Sequence, residues 1–167
     1  AVASILIYPR SEPLYQNQWF VGLLGLLIMV GAWVSLCVLR ASDQGAWWLF
    51  WLFVLTTATD VGAYFVGKAY GKNHLAKQLS PGKTWEGAIG GGAIATLLCA
   101  STLILWQSYA VGAALLLTLV LVCISVFGDL FESLLKRTSG IKDSGTILPG
   151  HGGALDRIDS VIAVLPV

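Results

Sequence analysis

Residues 111–135 read VGAALLLTLVLVCISVFGDLFESLL, an apolar run that ends in two carboxylates. No charged residue precedes Asp129 in this run, and about 20 apolar residues are enough for a helix to cross the hydrocarbon core of a bilayer. The pattern therefore predicts a membrane-spanning helix. Asp129 and Glu132 fall in its final turns, where lipid gives a charged group no hydration, so carboxylates at this depth usually bind a polar substrate or an ion.

Three more segments have the same length and character, namely residues 19–39, 46–66 and 88–106. In the whole chain 56% of the residues are hydrophobic and only 11% are charged, which is typical of an integral membrane protein and excludes an ordinary soluble domain. We predict an all-α fold, a polytopic transmembrane helical bundle in which cytoplasmic loops form the active site.

Two shorter apolar runs flank the four predicted spans. Residues 1–8 resemble the end of an earlier helix, and residues 158–167 resemble the start of a later one. The first residue is Ala rather than Met. We therefore interpret residues 1–167 as a single integral-membrane domain belonging to a longer chain, with residues 60–167 as its catalytic part.

The basic residues are distributed very unevenly between the two sides of the predicted bundle. If alternate connections share a side, one side carries nine Lys and Arg residues and the other carries only Arg40. The positive-inside rule makes the richer side cytoplasmic, so loops 68–86 and 136–157 face the cytoplasm. The nine basic residues on that side are Arg10, Lys68, Lys72, Lys77, Lys83, Lys136, Arg137, Lys142 and Arg157.

The cysteines and the net charge exclude several other classes of protein. Cys37, Cys99 and Cys123 lie inside apolar runs and have no CxxC spacing, which argues against a disulfide framework or a zinc site. A net charge of +1 indicates no particular partner, and we expect no nucleic acid.

The third span contains a repeat of small residues. Gly87, Gly91 and Ala95 recur at intervals of four, which places them on one face of a helix. Small residues at this spacing allow the backbones of two membrane helices to approach closely. We interpret the repeat as a packing signal.

Two carboxylates are predicted to lie at the same depth in their helices. Asp60 precedes Lys68 by eight residues and Asp129 precedes Lys136 by seven, which places each carboxylate about 11 Å from its helix end. A charged Asp at this depth needs a cation or a watery cavity. One alternative for Asp60 is a purely structural contact with a lysine of a neighbouring helix.

The first cytoplasmic loop, residues 68–86, carries four of the basic residues. Gly71, Pro81 and Gly82 predict turns in it, and its lysines are candidates for phosphate contact. Lysines beside a membrane can instead serve only the anionic lipid headgroups and the topology of the chain.

A nucleotide-binding P-loop does not fit the triplet Gly82-Lys83-Thr84, because that motif requires Gly where this chain has Lys77. A weaker signal remains. Ser80, Lys83 and Thr84 stand just before an apolar helix, where free backbone N–H groups and the positive end of the helix dipole favour an anion.

The second loop, residues 136–157, combines basic groups with carboxylates and a glycine-rich turn. Acids and bases gathered beside a second basic loop suit a metal-bound polyphosphate. Each part also has a structural interpretation, since a single His is often a hydrogen-bonded structural residue and the sequence Asp-Arg-Ile-Asp can be paired charges at a helix start. The polar groups of this region are Lys136, Arg137, Lys142, Asp143, His151, Gly152, Gly153, Asp156, Arg157 and Asp159.

The arrangement of these residues resembles the signature of the phosphatidate cytidylyltransferases, also called CDP-diacylglycerol synthases. The resemblance rests on SLLKR at 133–137, KD at 142–143 and LPGHGGALDRID at 148–159. DVGAY at 60–64, the pairs Gly67-Lys68 and Gly71-Lys72, and SPGKTWEG at 80–87 are similar to other recurrent segments of that family. Ala154 departs from the pattern, because the family usually has a larger aliphatic residue there.

The resemblance implies a reaction of CTP with phosphatidate that yields CDP-diacylglycerol and pyrophosphate. It implies a magnesium ion held by Asp129 and Asp156, and it is compatible with a second cation. The catalytic residues that it implies are Asp129, Asp156, Lys142 and Asp143. The residues that the resemblance assigns to the substrates are Asp60, Ser80, Lys83, Thr84, Lys136, Arg137, His151, Gly152, Gly153, Arg157 and Asp159.

The expected partners are CTP, phosphatidate and the lipids of the inner leaflet. The sequence is also compatible with a homo-oligomer. We expect the protein to lie in a bacterial inner membrane, with its active site on the cytoplasmic side.

Two other functions are compatible with parts of the sequence. A CTP-dependent polyprenol or phytol kinase uses a similar scaffold, and a cation-coupled transporter would also place carboxylates inside spans.

Overall fold

The computed structural model of the protein describes residues 17–77, 79–138 and 158–166, and Gln18 is described without its side chain. Four long helices and a fifth, short helix surround a two-stranded hairpin. In chain order the elements are α1 (Gln18–Ala41), α2 (Gly45–Tyr70), β1 (His74–Ala76), β2 (Ser80–Thr84), α3 (Trp85–Gln107), α4 (Val111–Thr138) and α5 (Asp159–Val164).

Helices α1 to α4 are each long and apolar enough to cross a membrane. They contain the four spans predicted from the sequence and extend beyond them by up to four residues at the ends. Many large apolar side chains on their outer faces are exposed, such as Leu27 at 61% and Trp33 at 66%. An outer surface of this kind fits lipid rather than water, and the predicted all-α membrane fold is confirmed.

Short polar contacts determine where these helices begin and end. The side-chain oxygen of Asn17 accepts the backbone N–H of Trp19 at 3.0 Å, which caps the start of α1. Helix α3 ends at Ser108, which has a left-handed backbone with φ of 55°. Ser42 stands between α1 and α2, and its hydroxyl donates to the backbone oxygen of Leu39 at 2.7 Å.

The closest helix pair is α2 with α3, and glycine makes that approach possible. A Cβ atom added to Gly91 would lie 2.1 Å from the backbone nitrogen of Ala63, and one added to Gly62 would lie 2.9 Å from Cα of Gly91. No side chain fits between these backbones. The predicted packing role of the small-residue repeat in the third span is confirmed for Gly91 and for Gly87, whose added Cβ would lie 2.7 Å from the oxygen of Ala63.

The main core lies between α2, α3 and α4, toward the ends of these helices that are farther from the hairpin. Trp51 is 4% exposed, and its indole N–H donates to the hydroxyl of Thr102 at 2.8 Å. Cys99 is buried in the same cluster, whereas Cys37 and Cys123 are exposed.

The loop between the second and third spans, residues 68–86, is more regular than predicted. Helix α2 continues to Tyr70 and ends at Gly71, as the predicted turn there requires, but β1 and β2 then form an antiparallel hairpin. At the end of β1 the backbone N–H of Leu79 donates to the backbone oxygen of Ala76 at 3.1 Å. The predicted turn at Pro81 and Gly82 is wrong, because both residues lie within β2.

A second core cluster fixes the hairpin against α4, and the short helix α5 packs against another face of α4. Leu79, at the tip of the hairpin, is 3% exposed and belongs to one cluster with Leu130 and Leu134 of α4. On the other side Gly128 of α4 faces α5 so closely that an added Cβ would lie 2.1 Å from Cβ of Ala163. Helix α4 therefore carries the hairpin and α5 next to its Asp129.

Candidate active site

A cavity of about 300 Å³ lies where α2, the hairpin, α3 and α4 meet. Asp60 from α2 and Asp129 from α4 both line it, although 69 positions separate them in the chain. The two carboxylates that the sequence predicts at one depth thus meet in one cavity. The lining also includes Thr59, Ala63, Tyr64, Leu75, Gly82, Lys83, Thr84, Ala88 and Val126.

Lys83 and Asp129 form an ion pair inside this cavity, and the ammonium group donates to Oδ2 of the carboxylate. The side chain of Lys83 is 29% exposed and that of Asp129 is 21% exposed. Such a pair is partly desolvated, so the attraction between its charges is stronger than at an open surface. It remains reachable from the cavity, so an anion can approach the lysine and a cation can approach the carboxylate.

Asp60 is placed against the start of α5. Its Oδ2 lies 3.3 Å from the hydroxyl of Ser160, which also lies 3.3 Å from Oδ1 of Asp159. The charged neighbours of Asp60 are Asp129, Lys83 and Asp159. Asp60 therefore lies near two other carboxylates and one lysine, so the charge around it is negative on balance.

Thr84 has a structural task at this site. Its hydroxyl oxygen accepts the backbone N–H of Gly87 at 3.1 Å and caps the start of α3. The side chain also fills the space beside Gly67 and Gly71, since a Cβ on Gly71 would lie 2.8 Å from it. The amide of Gly87 is thus already bonded, which reduces the number of free N–H groups that the sequence predicts at this helix start.

Ser80 lies in β2 opposite Ala76, outside the cavity lining. The structure therefore brings Asp60, Lys83 and Thr84 together with Asp129, and it leaves Ser80 nearer the tip of the hairpin. The substrate contact predicted for Ser80 stays a prediction.

Lys136 and Arg137, at the end of α4, make contacts within the protein. The ammonium group of Lys136 lies 3.6 Å from Oε1 of Glu132, one helical turn earlier. Nε of Arg137 donates to the backbone oxygen of Leu79 at 3.4 Å. Arg137 therefore joins the end of α4 to the tip of the hairpin, in addition to any role in phosphate binding.

Seven predicted site residues lie outside the described residues. They are Lys142, Asp143, His151, Gly152, Gly153, Asp156 and Arg157. Within residues 17–77, 79–138 and 158–166, no group of three or more His, Cys, Asp or Glu side chains is arranged to hold a metal ion.

Sequence reasoning did not single out two residues at or beside the site. Ser160 contacts Asp60, and Glu86 accepts hydrogen bonds from the base of the hairpin outside the cavity. An acidic residue in the first turn of a helix is common because it suits the helix dipole, so Glu86 carries no sequence signal of a further role. Ser160 follows a predicted site residue but has no motif of its own.

Comparison with known proteins gives a consistent family assignment. Residues 1–167 match the model of the cytidylyltransferase family. The chain is similar to proteins named phosphatidate cytidylyltransferase from Pseudomonas aeruginosa, Haemophilus influenzae and Bacillus subtilis, with identities of 45%, 47% and 39%. These matches cover 100%, 99% and 99% of this chain and 62%, 62% and 64% of the respective relatives.

The chain thus spans somewhat less than two thirds of the length of these relatives. The described helices, the cavity with its carboxylates and the matched family agree with one another. The protein is an integral membrane protein that belongs to the cytidylyltransferase family.

Proposed function

We propose that the complete protein is a magnesium-dependent CTP:phosphatidate cytidylyltransferase, acting at the cytoplasmic face of a bacterial inner membrane. The observation that carries this proposal is the meeting of Asp60, Lys83 and Asp129, from three separate segments, in one cavity. The names of the relatives and the positive-inside distribution of Lys and Arg support the substrates and the orientation.

The main difficulty of this reaction is repulsion between its substrates. CTP carries about −4 and phosphatidate about −2 charges near neutral pH, so the two anions must be neutralised before they can approach. The lipid phosphate is already largely deprotonated, because its second pKa is about 6, and the reaction hardly needs a general base. The site must therefore supply positive charge and correct placement.

Lys83 is the described residue best placed to supply positive charge. Its ammonium group reaches into the cavity from β2, and its contact with Asp129 fixes its direction. A phosphate oxygen that enters the cavity can share this ammonium group with Asp129, since an ammonium group has three N–H donors. Tyr64 and Val126 give the same cavity an apolar wall that suits the beginning of an acyl chain.

Two carboxylates of the cavity support a magnesium ion as cofactor. Asp60 and Asp129 offer the hard oxygen atoms that magnesium prefers, and Asp129 already has a positive partner in Lys83. Asp129 would hold the ion together with Asp156, which lies outside the described residues. When bound, magnesium would neutralise the triphosphate and polarise its phosphoryl oxygens.

The products of the complete protein in lipid vesicles test this function. CTP labelled in its α-phosphate should yield labelled CDP-lipid from phosphatidate, with release of pyrophosphate that depends on magnesium. Release of CDP with phosphorylation of a polyprenol would support the kinase instead, and substrate flux without a new product would support a transporter. Either of those results would contradict the proposal.

We predict that Lys83→Met in the complete protein lowers kcat/KM for CTP by roughly 100-fold, because one pre-placed positive charge is lost from the phosphate site. Initial rates of CDP-lipid formation across a range of CTP concentrations measure the effect. Arg40→Met is the matched control, since Arg40 is an exposed cation on the outward side of the bundle. Equal rates of CDP-lipid formation for the two variants would show that Lys83 does not contribute to the phosphate site.

A further inference from the structure

The hairpin that carries Lys83 is too small to hold its own position. Strand β1 has three residues and β2 has five, and an isolated two-stranded hairpin is at best marginally stable. Even so, the hairpin must bring Lys83 to within contact of Asp129 on another helix. The direction of Lys83 therefore depends on contacts at the tip and at the base of the hairpin.

The tip is attached to α4. Leu79 is 3% exposed and packs with Leu130 and Leu134, while Nε of Arg137 donates to the backbone oxygen of Leu79 at 3.4 Å. Together these contacts hold one end of the hairpin against the helix that carries Asp129.

The base is attached to α3 by the carboxylate of Glu86. Oε2 of this carboxylate accepts a hydrogen bond from the backbone N–H of Lys72 at 3.2 Å. The backbone N–H of Asn73 donates to both oxygens, at 3.3 Å to Oε1 and 3.2 Å to Oε2. The carboxylate also accepts the side-chain N–H of Asn73 at 2.7 Å. The backbone oxygen of Asn73 in turn accepts the N–H of Trp85 at 2.9 Å, which closes the base.

Glu86 does not face the cavity. It lines a separate, open groove with Ala69, Tyr70, Gly71 and Lys72. Its effect on a substrate in the cavity must therefore pass through the hairpin. A carboxylate is suited to this task because it offers two charged acceptor oxygens, whereas an amide offers one neutral acceptor.

We propose that Glu86 is a positioning residue, which fixes the base of the hairpin so that Lys83 faces Asp129 and the phosphate groups of the substrates. The catalytic consequence of this contact rests on the proposed function, whereas its structural consequence does not. Loss of the Glu86 contacts leaves the base held only by the bond from Trp85 to Asn73 and by the continuation of β2 into α3. Strand β1 can then shift relative to α3 while the tip stays attached. Lys83 then spends less time directed into the cavity.

The structural consequence is measured without substrate. Nitroxide labels are placed at His74→Cys in β1, which is exposed, and at Gly112→Cys in α4, where the added side chain meets open space. The complete protein, free of its other cysteines and held in lipid nanodiscs, should give one narrow distance distribution by pulsed electron paramagnetic resonance. Glu86→Gln should broaden that distribution, and Glu86→Ala should broaden it further.

A second label pair checks that the helices themselves are unchanged. Gly22→Cys in α1 and Gly112→Cys in α4 both have open space around the added side chain, and neither lies on the hairpin. Their distance distribution should be the same with and without Glu86→Gln. An unchanged His74–Gly112 distribution in the Glu86 variants would overturn the proposal, even if CDP-lipid formation fell.

The catalytic consequence is measured by a double-mutant cycle. We expect Glu86→Gln to lower kcat/KM for CTP by about 10-fold, as is typical of residues that orient a ligand-binding group. Because Glu86 acts through Lys83, adding Glu86→Gln to Lys83→Met should cause no further loss. If the loss of kcat/KM in the double variant equals the product of the two single losses, Glu86 acts independently of Lys83. That result would overturn the positioning role.

The two parts of the experiment separate the two proposals. If the unaltered protein forms no CDP-lipid, the proposed function fails, while the distance measurements still decide whether Glu86 holds the hairpin. If the unaltered protein is active and the distances do not respond to Glu86, only the positioning role fails.

Discussion

Asp129→Asn in the complete protein should lower magnesium-dependent conversion of labelled CTP into CDP-lipid by at least about 100-fold. The amide keeps the size of the side chain but removes the negative charge that faces Lys83 in the cavity. Under the proposed function a bound magnesium ion would lose a charged oxygen ligand, and Lys83 would lose the partner that directs it. The same loss is expected for Asp156→Asn, although Asp156 lies outside the described residues.

The matched control is Asp43→Asn, which makes the same chemical change in an exposed turn between α1 and α2. It should leave the rate unchanged. Yield in the membrane fraction and the thermal unfolding temperature in detergent distinguish loss of the site from loss of the fold. If a well-folded Asp129→Asn protein has the activity of the unaltered protein, Asp129 takes no part in the reaction.

Gly91→Leu should prevent the correct packing of α2 against α3 and destabilise the folded protein by about 3 kcal/mol or more. Even a single Cβ at this position would lie 2.1 Å from a backbone nitrogen of α2. Because backbone atoms cannot move aside as a flexible side chain can, the helices must separate. The thermal unfolding temperature and the resistance to protease of the purified protein measure the effect.

Gly22→Leu is the matched control, because an added Cβ at Gly22 meets open space on the outer face of α1. That variant should unfold at the same temperature as the unaltered protein. A Gly91→Leu protein as stable as the control would mean that α2 and α3 do not lie in close contact in the membrane.

The four spans could be predicted from the sequence because each depends on consecutive residues. A run of about 20 apolar residues meets the thickness of the hydrocarbon core regardless of what the rest of the chain does. For the same reason the matched depths of Asp60 and Asp129 could be estimated from their spacing to the ends of their own helices. The glycine repeat of α3 predicted a surface for close helix packing. The sequence did not predict that α2 is the helix that packs against it.

The hairpin was missed because its strands are short and contain Pro81 and Gly82, which are more typical of turns. Burial of Leu79 against α4 and the contacts of Glu86 outweigh these local preferences. The role of Glu86 could not be predicted for a related reason. Its partners are mainly backbone N–H groups 13 and 14 positions away, and a backbone N–H has no sequence signature.

The amino-acid sequence alone determined that the chain crosses a membrane, which loops are basic, and that carboxylates lie within the spans, because each of these properties belongs to a local stretch of residues. Only the tertiary structure decided that Lys83 pairs with Asp129, that Asp60 meets Ser160, and that Arg137 joins the hairpin. Those contacts join segments from 46 to 100 positions apart. They exist because the packing of the helices and the hairpin brings together side chains that are distant in the sequence.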